Sequence, residues 1–304
     1  MICRDNWLLV RHYLRYRKEV DLLSEKSLRL EETWLRHLLE WAADRPFETC
    51  HKLRPSLPEY MLSARLDDPG QRLSSIYIRK VIATSKRFLE WARKHRRGYS
   101  KISPDWLDTL KSPRLESEYK EHEAVSLDEV LAIAKAPVFS LRDERIQAAA
   151  VFWFLSGIRI GAFVSLPIKA VDIASMTVRQ FPSMGVQTKF KKKAITYLLD
   201  IPELLQVIRV WDDKVRAILG ETGLWFAPFS PDTGSFDPEK QEAGSNRNSR
   251  AIKDLKDWMH RVNLPYHSPH KFRHGHAVYG IQHAKDIGQL KALSMNLMHS
   301  NLSI

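Results

Sequence analysis

Ser268-Pro269-His270-Lys271-Phe272-Arg273-His274 is the stretch on which the reading of this chain turns. Serine is a preferred helix N-cap and proline is tolerated at the first helical position, so the order predicts a helix that starts at Pro269. His270 and Arg273, three apart in the first turn, share one face of it. A helix N-terminus offers free N–H groups and the positive end of the dipole, so this face suits an anion. Four histidines, His267, His270, His274 and His276, crowd the segment, and His270 and His274 have the spacing of a helical zinc pair. No acid of the His-Glu-x-x-His kind accompanies them, so no metal is expected.

Upstream lies Phe152-Trp153-Phe154-Leu155-Ser156-Gly157-Ile158-Arg159-Ile160-Gly161-Ala162-Phe163. No other arginine of the chain has such apolar surroundings. A guanidinium there keeps its proton and needs either a buried carboxylate or a bound anion. Gly157 breaks a helix expected from about Arg142 to Leu155 and puts Arg159 near the start of the next. Short strands are predicted at Thr177–Phe181, Val186–Lys189 and Ala194–Ile201, the last with alternating apolar residues. Lys189, Lys191, Lys192 and Lys193 crowd the turn before the final strand, where they would track a phosphate backbone. Residues Pro228–Arg250 are polar and read as a mobile loop, followed by a helix from about Ser249 to Val262.

The N-terminal part has a different pattern. Between about Ser24 and Leu110 the apolar period is helical: Leu30, Trp34, Leu38 and Trp41 form one face, and Ile78, Ile82, Ser85, Phe88 and Ala92 another. The opposite side of the second helix carries Arg79, Lys80, Lys86, Arg87, Arg93 and Lys94. Residues 112–124, with Pro113 and many charges, read as a linker, and Ser126-Leu127-Asp128-Glu129 is a capping box that opens a helix through Ala134. The expected fold is mostly α, with a small antiparallel β-sheet in the second of two domains: 1–111, a linker at 112–124, and 125–304.

Bulk composition narrows the function. A net charge of +12 over 304 residues favours a polyanionic partner. No apolar run approaches the ~20 residues of a membrane span. The N-terminus lacks a signal peptide, and the only two cysteines, Cys3 and Cys50, have no metal or disulfide spacing. A cytoplasmic protein is expected.

Taken in order, Gly157-Ile158-Arg159, the hairpin Lys189, His270-x-x-Arg273-His274 and Leu297-Met298-His299 resemble the motifs of the tyrosine recombinases, or phage integrases. The resemblance covers 125–304, and the helical first domain is similar to that family's SAM-like core-binding domain. It implies a C-shaped, two-domain clamp on double-stranded DNA, with Arg79, Lys80, Lys86, Arg87, Arg93, Lys94, Lys191, Lys192 and Lys193 as positioning contacts. It also implies Arg159, Lys189, His270, Arg273 and His299 as catalytic residues, no cofactor, and a tetramer on paired sites of a mobile genetic element. In that chemistry a tyrosine attacks a DNA phosphate to form a 3′-phosphotyrosyl link. The family's tyrosine lies farther past the histidine than Ile304, the fifth residue after His299. This chain is therefore expected to be C-terminally incomplete, binding DNA without cleaving it. Two further departures are Ala162, where the family has an acid, and Met298, where it has glycine. A non-catalytic DNA-binding regulator of the same fold, or a type IB topoisomerase, shares these residues.

Overall fold

The computed structural model describes residues 1–63, 72–112, 123–230 and 232–298. Packing divides the chain into two compact units, Met1–Lys120 and Glu121–Ile304. Most of the expected linker, and His299, lie outside the described residues.

The first unit is helical: α1 (Arg4–Glu19), α2 (Glu25–Ala42), α3 (Leu57–Ser63), α4 (Ser75–His95) and α5 (Pro104–Thr109). Ser24 and Ser74 cap α2 and α4 through their side-chain oxygens, as serine does where a helix begins. α4 buries Ile78, Ile82, Ser85, Phe88 and Ala92, the expected face. The face of α2 is the expected one except at its start: Leu38 and Trp41 are buried and Trp34 packs against the core, whereas Leu30 is exposed and Leu28 is buried in its stead. Glu31 also lies inside, where Arg17 and Arg87 both pair with it, at 2.8 and 2.9 Å. A charge can occupy that stripe because two cations compensate it.

The second unit is built around α7 (Leu141–Ser156), with α6 (Leu127–Lys135), α9 (Pro202–Leu219), α10 (Arg247–Arg261) and α11 (Pro269–His283) packed on it. From Ala148 to Leu155 every residue of α7 is buried, as expected of a helix that is apolar all round. The predicted capping box is present at Ser126 and Glu129. Buried Arg145 of α7 pairs with Asp254, midway along α10, at 2.6 Å, and Arg261 at the C-terminal end of α10 reaches Asp143. Gly275 of α11 lies under the incoming chain, so close that a Cβ would meet the Val125 carbonyl oxygen at 2.2 Å.

The sheet has three antiparallel strands, but not the expected three. β1 (Val171–Asp172) and β3 (Ala194–Tyr197) flank β2 (Thr177–Gln180), with Thr177 opposite Tyr197 and Gln180 opposite Ala194. Val186–Lys189 forms no strand. Pro182 and the left-handed Gly185 (φ 89°) turn the chain after β2, and Gln187 N–H then bonds Ser165 Oγ at 2.8 Å instead of a neighbouring strand. Residues 228–230 and 232–246 carry local bonds such as Asp237 N to the Pro228 carbonyl, and Phe236 packs on Trp211. At the end of α12 (Ile287–Asn296), the Asn296 amide both accepts from Tyr197 N and donates to Tyr197 O, each at 3.0 Å, which fastens α12 to β3.

Candidate active site

The site begins at the break after α7. Gly157 closes that helix in the left-handed conformation (φ 60°), and its missing side chain admits His276 and Leu297, whose atoms would lie 2.7 and 3.0 Å from a Cβ. Two residues on, Arg159 is the N-cap of the short α8 (Ile160–Phe163). Ala162 is buried in that helix and offers no charge.

Arg273 comes to the same place from α11. It is buried, and its two terminal nitrogens donate to the carbonyls of Gly157 and Leu297. Burial, and then the neighbouring Arg159, push it down to about 9. Burial likewise lowers Arg159, whose Nη1 donates to the Met298 sulfur at 3.7 Å. Among the described residues no carboxylate pairs with either guanidinium. Since a guanidinium keeps its proton, both shifts express the same demand for negative charge. Of the two partners left open for Arg159, a carboxylate or an anion, no carboxylate is present among the described residues.

The other expected residues are placed differently. His270 is exposed near the start of α11, and its ring meets that of His274 edge to face at 4.4 Å. Arg273 turns inward, while His270 stays at the surface one turn earlier on the same helix. Lys189 is exposed in the connection between β2 and β3, with its ammonium 5.2 Å from the Phe190 ring centre. That connection is anchored close to α8: Gln187 N–H bonds Ser165, two residues past the helix, and the Gln187 carbonyl and Asn248 Nδ2 both lie 3.9 Å from where a Gly161 Cβ would stand. Lys191, Lys192 and Lys193 are exposed on the same turn. Among the described residues no three side chains come together to hold a metal ion.

On α4, Arg79 and Lys94 are exposed, Arg93 is half-buried, and Lys80 sits 5.7 Å from the Trp34 ring centre. Lys86 pairs with Asp108 at 2.7 Å and Arg87 with Glu31, so part of this basic face is engaged within its own unit.

His276 was not singled out from the sequence. It is fully buried beneath Gly157, shares a hydrogen bond between Nδ1 and the Phe154 carbonyl at 2.9 Å, and is pushed down to about 4, first by burial. It is therefore neutral and fixes the end of α7 against α11. Its only sequence signal is its place three residues after Arg273, one helical turn along the same face. Tyr279, farther along α11, is stacked on His283 at 4.0 Å.

The fold matches solved integrase structures over nearly its whole length. One is a lambda integrase dimer bound to a COC′ core site, with 14% identity and a TM-score of 0.65 over 99% of this chain and 93% of that one. A Tn1549 transposon integrase in complex with circular intermediate DNA has 16% identity and a TM-score of 0.60, covering 98% and 92%. A lambda integrase tetramer bound to a Holliday junction has 16% identity and a TM-score of 0.60, covering 99% and 80%. No family model matches the sequence, and no curated protein matches it. The likeness is one of architecture: this chain has the tyrosine-recombinase fold. No described helix is long and apolar enough to cross a membrane.

Proposed function

We propose that this protein is a site-specific DNA recombinase of the tyrosine type, and that Arg159 and Arg273 hold the phosphate at which strands are exchanged. The observation that supports this most directly is the pair itself: two adjacent guanidiniums, one buried, with no carboxylate among the described residues. A phosphodiester supplies the missing charge. Its two non-bridging oxygens accept from planar donors, and the interaction grows as charge builds in the pentacoordinate transition state.

In this reading the attacking tyrosine oxygen bonds to phosphorus and the 5′-oxygen leaves, taking a proton from Lys189. His270 assists proton transfer at the tyrosine, and His299 hydrogen-bonds the phosphate. The linkage conserves the phosphodiester bond energy, so neither cofactor nor metal is required. Arg79, Lys80, Arg93, Lys94 and Lys191–Lys193 position duplex DNA, with Lys86 and Arg87 exchanging their internal partners for phosphates. The protein assembles as a tetramer on paired sites and serves a mobile element in the cytoplasm. The 304 residues contain no tyrosine after Tyr279, so this stretch by itself binds DNA and leaves it uncut.

The test is a gel-shift and covalent-trapping experiment on nicked duplexes. The 304 residues should retard the duplex without forming an SDS-resistant adduct, and Arg159→Ala or Arg273→Ala should weaken binding by about tenfold or more. A product extended past Ile304 should form the adduct and lose it with either substitution. Retardation without an adduct from the longer product favours a non-catalytic DNA-binding protein of this fold, and binding unaffected by both arginine substitutions sinks the phosphate assignment.

A further inference from the structure

The connection between β2 and β3 carries at its tip an exposed aromatic residue among lysines. Phe190 is 81% exposed and belongs to neither apolar core. Its backbone is left-handed (φ 59°, ψ 26°), and so is that of Lys191 (φ 52°). Each such residue bears a cost of about 1–2 kcal/mol that glycine would avoid. A merely solvated turn would place Gly or Asn here. The tip is nevertheless tightly constructed: Lys191 N bonds the Thr188 carbonyl at 3.2 Å, and Thr188 Oγ1 bonds the Lys192 carbonyl at 2.6 Å. Its base is fastened by Gln187 N–H to Ser165, two residues past the helix that follows Arg159.

We propose that Phe190 is an apolar wedge that seats against a base step of duplex DNA while the flanking lysines hold the adjoining phosphates. The proposal rests on the DNA-phosphate reading of the arginine pair. Charge complementarity selects the partner. Lys189, Lys191, Lys192 and Lys193 call for a polyanion, and the ring needs an apolar surface within a few ångströms of those anions. Duplex DNA supplies both at a base step, where phenylalanine side chains can unstack neighbouring pairs. A polyanion without bases supplies only the charge.

The experiment compares the 304-residue protein with Phe190→Ala, Phe190→Tyr and a triple Lys191→Ala, Lys192→Ala, Lys193→Ala variant. Each is titrated with heparin and with a mixed-sequence duplex carrying a fluorescent adenine analogue that brightens on unstacking. Phe190→Ala should bind the duplex about tenfold more weakly, lose the brightening, keep the salt slope and leave heparin affinity unchanged. Phe190→Tyr should restore the duplex affinity. The lysine variant should bind both polyanions more weakly, with a slope reduced by about 0.9 for each lost phosphate contact. An unchanged duplex affinity in Phe190→Ala, or equal losses on duplex and heparin, overturns the wedge. If Arg159→Ala and the lysine variant also leave duplex binding intact, the failure belongs to the DNA reading itself. Because Phe190 is exposed, all variants should melt like the parent, which separates loss of contact from loss of fold.

Discussion

Arg159 donates to the sulfur of Met298 at 3.7 Å, while the backbone of Met298 is held in the left-handed region at φ 53°. A thioether is a weak acceptor and brings no charge, so it leaves the cation unneutralised. The left-handed backbone is costly for a residue with a side chain and free for glycine. Met298→Gly is therefore expected to raise unfolding stability by about 1 kcal/mol, seen as a higher urea midpoint with an unchanged slope. A lower midpoint would show that the sulfur contact and packing of Met298 outweigh its strain.

The Arg145–Asp254 pair is buried on both sides, and Arg145 also stacks on Phe226 and Phe229. Desolvation pushes Arg145 down to about 9, against the pull of Asp254. Asp254→Leu alone leaves an unpaired buried cation and should cost about 3–5 kcal/mol. Replacing Arg145 by Met and Asp254 by Leu together should return most of that loss, because the pair's desolvation penalty disappears with its attraction. Denaturant unfolding of the two single variants and the double variant closes the cycle. Equal losses in the single and double variants would refute this account.

His276 supplies a pH dependence whose sign can be worked out. Its folded value is about 4 against an ordinary 6.5, so between those limits the unfolded chain binds the extra proton. The stabilisation is complete above pH 6.5 and is lost as the pH falls toward 4. The loss from this group is about 3 kcal/mol at most. His276→Gln, which can still donate to Phe154 O, should unfold with a shallower acid slope than the parent over that window. Identical slopes would mean that other groups govern the acid limb.

What the sequence revealed, and what it hid, follows from the range of each interaction. The cap at Ser126, the break at Gly157 and the buried face of α4 are local, and each was legible from a few neighbouring residues. The face of α2 was legible at Trp34, Leu38 and Trp41 but not at its first turns, because Glu31 reads as a surface charge until Arg17 and Arg87 arrive from other helices. Val186–Lys189 has strand-like composition, but it is bonded to Ser165, which no periodicity could indicate. The arginines were recognisable as anion-seeking, yet the inward turn of Arg273 depends on carbonyls 116 and 24 residues away. His276 was hidden because a buried neutral histidine and a surface histidine look alike in a sequence.

Gly275 and Val125 give the second unit a mechanical character. The incoming chain lies across α11 with no room for even a methyl group, two residues from Arg273, and Val125 N is bonded to the Lys271 carbonyl at 3.3 Å. The strap and the helix therefore cannot slide past one another without lifting apart. A pull on the backbone at Val125 therefore bears directly on the helix that carries Arg273.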